Sequence, residues 1–341
     1  MKSNIQIDYN AFFMLPHTKA QGDWMEDRLR TLSATETVIL GAVLPQNRPE
    51  TVEDAINLLT SLNDYSVCFP AKDVESLAKF YFEQVSLKLP ELVLKHTDME
   101  PLGISFQDEH PGTFIADYYV MEPAKPSNKP YNGHNLSDIK DWSWNVKIKL
   151  ASHDCPDGLW IRLPDYSNEL DGSPKELAIA MRELNVTSVR QCSVLDARCT
   201  IPKAEAFLKE YDDPAVLLCD GSKLGYLLDE QAQGLKDYEQ KLAAAMEYAG
   251  CQSLQDILDC AEGIRLFDFV MADRIDEYAY SELEKVGAPE ILIDGGLFDL
   301  KGFAEESLAQ NGYTLDSTGS MYINAEQWEQ RYRQPEMNMQ M

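Results

Sequence analysis

Residues 142–163, WSWNVKIKLASHDCPDGLWIRL, decide the class of fold. Apolar side chains alternate with polar ones from Trp142 to Leu150, which is the period of a β-strand with one buried face. Residues 156–158, Pro-Asp-Gly, have the composition of a turn, and residues 159–163 are predicted to return as a second strand. The stretch therefore predicts an antiparallel hairpin that opens a domain.

Toward the C-terminus the pattern becomes helical. Apolar residues at helical spacing predict a helix that begins after Ser173, and a third strand is predicted over residues 186–195. A second helix is predicted over residues 234–248, and Ser253 has the chemistry of a helix N-cap. Residues 272–286 predict a further amphipathic helix. This half of the chain is thus expected to hold a hairpin-led α+β domain, a mainly helical segment and a last mixed segment.

Upstream of the hairpin, residues 122–141 read EPAKPSNKPYNGHNLSDIKD and contain three prolines. This composition interrupts the apolar pattern and predicts a linker. The whole chain is then predicted to be an elongated, multidomain α+β protein with small antiparallel sheets, packed helices and a mainly helical middle segment. Its predicted parts are an N-terminal α+β domain of unknown role (1–121), the linker (122–141), the hairpin-led α+β domain (142–232), a helical domain (233–268) and an acidic α+β domain (269–341).

A possible internal repeat connects the two halves. Residues 68–85, CFPAKDVESLAKFYFEQV, align without gaps on residues 269–286, FVMADRIDEYAYSELEKV. The N-terminal domain is therefore a candidate degenerate copy of the C-terminal one. Amphipathic helices also resemble one another by chance, and the sequence leaves both explanations open.

The charge of the chain is unevenly distributed. Residues 151–341 hold 36 Asp and Glu against 16 Lys and Arg, a net of −20, whereas residues 1–150 have a net of −7. A surplus of this size opposes folding by self-repulsion, so the second half is expected to bind a cationic partner. A hydrophobic content of 44% excludes a disordered acidic tail.

Metal, cofactor and membrane chemistry find little support in the sequence. The seven cysteines are odd in number and none are spaced C-x-x-C, which favours reduced thiols over a disulfide framework or a zinc ribbon. The acids around Asp220 lack the spacing of a calcium loop, and Gly295-Gly296 is predicted to be a turn instead of a phosphate cradle. No cofactor is therefore predicted.

The absence of a long apolar run and of a signal peptide predicts a cytoplasmic protein.

Residues 144–323 resemble the ArdA-type antirestriction proteins, which are DNA mimics carried by mobile elements. The matching stretches include the hairpin ending GLWIRLP at 158–164 and the helix end AYSELEKVG at 279–287. Shorter matches are Val194-Leu195-Asp196-Ala197, Glu210-Tyr211-Asp212-Asp213, Leu297-Phe298-Asp299, Gly302-Phe303-Ala304 and Gly319-Ser320-Met321-Tyr322-Ile323. Residues 1–141 lie outside the resemblance.

The resemblance implies an elongated three-part body, often a homodimer, whose acidic surface imitates bent duplex DNA. Such a protein is not an enzyme and does not itself bind nucleic acid. It occupies the DNA-binding site of a type I restriction-modification enzyme, or of a related DNA-binding defence enzyme, and protects incoming mobile-element DNA.

A DNA mimic must present carboxylates at a density comparable to that of phosphates, about one charge per 1.7 Å of duplex axis. Between Ser253 and Glu306 the chain has 14 acidic and four basic residues. Phe298 and Phe303 are candidate interface residues, because aromatic side chains anchor protein contacts. The predicted acidic surface consists of Glu210, Asp212, Asp213, Asp256, Asp259, Glu262, Asp268, Asp273, Asp276, Glu277, Glu282, Glu284, Glu290, Asp294, Asp299, Glu305 and Glu306.

Two other classes of function remain open. An acidic adaptor would bind a basic protein partner without competing with DNA. An enzyme would need convergent polar groups, for which the only His-plus-Cys neighbourhood is His153-Asp154-Cys155 at the predicted hairpin tip. A Glu-rich helix face is also common on proteins that bind nothing, but such faces usually pair Glu with Lys, and this half has few cations.

Overall fold

The computed structural model describes residues 5–84, 97–139, 144–165, 176–287 and 298–333. These residues form 14 α-helices and three small three-stranded antiparallel sheets, so the predicted α+β class is confirmed. No helix in the described ranges is long and apolar enough to cross a membrane.

The chain divides into two compact units. The first consists of Met1–Cys199 and Lys209–Ser222, and the second of Thr200–Leu208 and Lys223–Met341.

The helices and strands of the first unit follow the chain in a simple order. They are α1 (Asn10–Phe13), α2 (Lys19–Arg30), α3 (Ala34–Val43), α4 (Val52–Thr60), β1 (Ser66–Cys68), α5 (Val74–Gln84), α6 (Met99–Glu109), β2 (Gly112–Ile115), β3 (Tyr118–Met121), β4 (Val146–Ala151), β5 (Leu159–Leu163), α7 (Glu176–Glu183) and β6 (Ser193–Cys199). The strands form two sheets, with orders β1-β3-β2 and β5-β4-β6.

The second unit begins with one short helix and continues after residue 222. Its elements are α8 (Pro202–Leu208), most of α9 (Pro214–Ala232), α10 (Tyr238–Ala249), α11 (Leu254–Glu262), β7 (Asp268–Met271), α12 (Ile275–Lys285), α13 (Leu300–Gln310), β8 (Thr314–Leu315), β9 (Met321–Asn324) and α14 (Glu326–Tyr332). Its sheet has the order β7-β9-β8.

The predicted hairpin is confirmed. Strands β4 and β5 pair in antiparallel register from Val146 opposite Leu163 to Leu150 opposite Leu159. The third strand, β6, begins later than predicted, at Ser193. Residues 189–191 form a turn of 3-10 helix instead, because Ser188 and Gln191 cap it reciprocally through their side chains.

The predicted linker packs inside the first unit. Tyr131 is buried, its backbone N–H donates to Asn57 Oδ1 at 2.9 Å, and Asn57 Nδ2 donates back to its carbonyl at 2.9 Å. Lys129 also lies 3.6 Å from the Asp54 carboxylate of α4. These contacts attach the Pro-rich segment to α4, so the division between compact units falls near residue 200 instead of at residues 122–141.

Both units contain the same succession of elements. The order β1-α5-α6-β2-β3 in the first corresponds to β7-α12-α13-β8-β9 in the second, and in both sheets the last strand lies in the middle. A shift of 201 residues superimposes the bounds of α5 on α12 and of α6 on α13. The agreement extends well beyond the aligned helix and is what a duplication would produce.

Equivalent hydrogen bonds strengthen this correspondence. The N–H of Ala71 donates to the carbonyl of Asp117 at 2.7 Å, and the N–H of its counterpart Ala272 donates to Ser320 at 2.8 Å. The second helix of each pair also starts at a capping aspartate, Asp98 in one unit and Asp299 in the other.

The helix pair of the first unit depends on Gly103, whose counterpart by the same shift is Ala304. A Cβ atom on Gly103 would lie 1.9 Å from the backbone oxygen of Val74, so α5 and α6 would have to separate. We expect Gly103→Ala to lower the free energy of unfolding by about 1–3 kcal/mol despite the better helix propensity of alanine. Urea unfolding of the full chain measures this, and an unchanged midpoint would contradict the close approach.

Candidate acidic surface

The solvent-facing side of helix α12 carries exposed carboxylates. Its buried face is formed by Ile275 and Ala279, which pack in a core cluster with Ala304 and Leu308 of α13. The acids lie at other positions of the helical period and are therefore exposed. We call the exposed acids Asp276, Glu277 and Glu284 of α12, together with Asp273 of the 3-10 turn (Ala272–Arg274) that leads into it, the α12 acidic face.

No carboxylate of the α12 acidic face has an ion pair or a hydrogen bond to any residue in the described ranges. Asp273, Asp276 and Glu277 lie within four residues of one another at the start of α12, and Glu284 follows on the same side of the helix about two turns later. The four charges therefore form a row along one side of this segment. Tyr280 lies within this row and is 45% exposed.

Cations near the row are already engaged. Lys285 Nζ lies 2.5 Å from Glu282 Oε1, and this hydrogen bond raises the pKa of Lys285. Glu282 is thereby neutralised and does not extend the row. On the neighbouring helix, Lys301 lies 3.8 Å from Glu305. The α12 acidic face therefore keeps its charge, and its remaining sequence neighbour of opposite sign is Arg274.

Of the predicted surface acids on α11, two already bind other groups of the chain. Asp256 accepts hydrogen bonds from the backbone N–H groups of Gln252 and Ser253, both at 2.9 Å, and thereby caps the helix. These hydrogen bonds, opposed by partial burial, lower its pKa. Asp259 accepts from Gln255 Nε2 at 2.7 Å, which leaves Glu262 exposed and without such a partner among the described residues.

The remaining predicted acids are dispersed. Asp299 caps α13 by accepting from the N–H of Gly302 at 3.0 Å, and Glu306 accepts from Gln310 Nε2 at 3.2 Å. Asp268 is exposed on β7. The exposed acids Glu210, Asp212 and Asp213 belong to the first unit, and Glu290 and Asp294 lie outside the described residues.

The aromatic residues proposed for an interface have a different setting. Phe298 and Phe303 are half-buried with ring centroids 5.4 Å apart, and Phe303 packs against the core cluster of α12 and α13. Tyr280 of α12, in contrast, is 45% exposed. Its position between Glu277 and Glu284 at helical spacing was the signal that places it on the outer face.

The exposed acids of the second unit that were missed from sequence are Glu230, Glu239, Glu247 and Glu326. Glu239 and Glu326 lie in the first turns of α10 and α14. An acid in the first turn of a helix interacts favourably with the helix dipole, and this positional preference was the available signal for these two.

Residues 152–155, which include the His153-Asp154-Cys155 stretch, form a hydrogen-bonded turn. The carbonyl of Cys155 accepts from the N–H of Ser152 at 3.1 Å, and the Ser152 hydroxyl accepts from the N–H of Cys155 at 3.1 Å. His153 is exposed, and Asp154 accepts from Asn185 Nδ2 at 2.5 Å. Within the described ranges, no three His, Cys, Asp or Glu side chains are grouped as metal ligands would be.

Comparisons of the chain with family models, with curated proteins and with solved structures give no significant match. The geometry and charge of the surface therefore carry the functional argument.

Proposed function

We propose that this protein is a non-enzymatic DNA mimic that occupies the DNA-binding site of a type I restriction-modification enzyme or a related DNA-binding defence enzyme. In this role it protects incoming mobile-element DNA. The observation that carries the proposal is the α12 acidic face, where four exposed carboxylates without partners among the described residues lie along α12 and the 3-10 turn that precedes it.

The density of charge on this helix suits a phosphate-binding groove. The row from residue 273 to residue 284 is about 17 Å long at 1.5 Å per residue. One strand of duplex DNA carries a phosphate every 3.4 Å of axis, or about five over that length. Four carboxylates come close to this number, and α12 holds three of them on one rigid helix.

Charge balance in the same region supports the proposal. A helix face that serves only solubility usually pairs its acids with lysines at i, i+4. Here Lys285 and Lys301 are bound to Glu282 and Glu305, outside the α12 acidic face. The uncompensated field would attract a basic groove from a distance and accelerate association.

The alternative is an acidic adaptor for a basic protein partner. The exposed Tyr280 favours contact with protein of either kind, because aromatic side chains are enriched in protein interfaces. The two proposals differ in one measurable respect: a DNA mimic and duplex DNA exclude each other from the partner, whereas an adaptor and DNA bind together.

A pull-down with a type I methyltransferase core, with and without competing duplex, tests the proposal. We expect the duplex to displace this protein from the core in proportion to its concentration, and we expect no binding of the duplex to this protein alone. Retention of the protein on a core saturated with duplex would favour the adaptor.

Added salt is expected to weaken the complex steeply. If about four phosphate contacts are replaced by the α12 acidic face, the dissociation constant should rise on the order of ten- to a hundredfold between 50 and 200 mM salt. Isothermal titration at several salt concentrations measures the slope. A dissociation constant that does not change with salt would contradict an interface built on carboxylates.

A further inference from the structure

Two cysteines meet in the core of the second unit. The sulfur atoms of Cys251 and Cys260 lie 3.7 Å apart, and the residues are 2% and 0% exposed. Cys251 directly follows Gly250, whose left-handed backbone (φ +65°) ends α10, and Cys260 lies in the last turn of α11. The reversal of the chain after α10 brings the two thiols together.

We propose that Cys251 and Cys260 form a redox-active dithiol that a peroxide converts into an intramolecular disulfide. The Cys251 thiolate attacks one peroxide oxygen, the O–O bond breaks, and the second oxygen leaves as water after taking up a proton. The resulting sulfenic acid is attacked by the Cys260 sulfur, so that the S–S bond forms and a second water leaves. Two thiols are oxidised and one peroxide is reduced to two waters.

The surroundings assign the roles of the two sulfurs. The hydrogen bond from the Cys260 thiol lowers the pKa of Cys251, and the nearby Lys203 ammonium adds to this effect against the opposing effect of burial. The same hydrogen bond, together with burial, raises the pKa of Cys260. Cys251 is therefore the thiol that ionises and is oxidised first, and Cys260 is the one that resolves it.

Formation of the disulfide requires only a small movement of the two sulfur atoms. A disulfide has an S–S distance of about 2.05 Å, so the two sulfurs must approach by less than about 2 Å. Cys68, Cys155, Cys192 and Cys219 have no sulfur–sulfur contact with another cysteine in the described ranges. Cys219 is exposed, and Cys155 and Cys192 are half-buried. Their oxidation therefore measures peroxide damage that does not lead to an intramolecular disulfide.

Trypsin provides a direct readout, because residues 242–265 form one peptide that contains Cys251, Cys260 and no other cysteine. The full-length folded chain is treated with hydrogen peroxide, alkylated and digested. We expect this peptide to be lighter by two hydrogen atoms than the same peptide with both thiols reduced, and to carry no alkyl label. The Cys219→Ser control should give the same result, since its cysteine lies in a different peptide.

Single variants test the order of events. In Cys260→Ser, oxidation should stop at a sulfenic acid on Cys251 that dimedone traps, and in Cys251→Ser trapping on Cys260 should be at least tenfold slower. Full alkylation of both cysteines after peroxide treatment would overturn the proposal. Formation of the disulfide only in urea would also overturn it, because the folded arrangement would then have no part in the reaction.

Discussion

Changing Asp273, Asp276 and Glu277 together to lysine is expected to raise the half-inhibitory concentration on the order of a hundredfold or more. The assay is protection of an unmodified duplex from a type I restriction-modification enzyme. The change would place three cations opposite the basic groove in which the enzyme binds phosphates. Like charges brought together at an interface cost several kcal/mol. All three side chains are exposed and have no partner among the described residues, so the fold should be retained.

The duplicated topology offers a matched control. Glu75 on α5 and Asp108 and Glu109 on α6 are exposed acids of the corresponding helix pair, also without described partners. Their change to lysine alters the net charge of the chain by the same amount. We expect potency to change by no more than about threefold, the size of a general field effect screened by salt. Equal losses in the two triple variants would show that net charge, and not the α12 acidic face, produces inhibition.

The local pattern of the sequence was sufficient for elements whose structure is decided locally. The β4–β5 hairpin follows from alternation around a Pro-Asp-Gly turn, and the start of α11 follows from Ser253 with Asp256 three positions later. The placement of the Pro-rich segment was not available locally, because it depends on Asn57 binding Tyr131 across 74 residues of chain.

The sequence predicts that the candidate surface is rich in acids, but it does not predict which of these acids are free of helix caps and ion pairs. A count of acids does not separate Asp299, which caps a helix, or Glu282, which binds a lysine, from the free carboxylates of α12. The capping role of Asp256 was readable from its spacing to Ser253. The side of α12 that faces solvent follows from its amphipathic pattern, because the opposite side packs against α13, but the pattern does not indicate which acids bind a lysine.

The largest effect on stability is expected at Glu36, a fully buried carboxylate of α3. Arg28 donates to it from Nη2 at 2.6 Å and from Nη1 at 3.2 Å, and the backbone N–H of Ser33 donates at 2.8 Å. Arg162 of β5 lies 3.7 Å away. Replacing Glu36 by alanine removes the buried carboxylate that accepts hydrogen bonds from Arg28 and Ser33, so we expect a loss of about 3–5 kcal/mol in the free energy of unfolding. Urea unfolding at neutral pH measures it.

The pH dependence of stability distinguishes this charge cluster from simple packing. Burial alone would raise the pKa of Glu36, but Arg28, Arg162 and Lys147 outweigh it and lower the pKa to about 2. Because the folded-state pKa lies below the unfolded value, the carboxylate stabilises the fold above about pH 4.5 and ceases to do so as the pH falls toward 2. The contribution is on the order of 3 kcal/mol.

The variant Glu36→Gln tests this pH dependence, because glutamine has nearly the same shape as glutamate but stays neutral. Wild type and variant should differ most near pH 6, and the difference should close between about pH 4.5 and pH 2, where the wild-type side chain also becomes neutral. Glu53→Gln, an exposed change on α4, should follow the wild-type curve throughout. Parallel curves for wild type and Glu36→Gln down to pH 2 would mean that Glu36 does not titrate with a lowered pKa. The attachment of α3 to the hairpin sheet through Arg162 would then rest on packing alone.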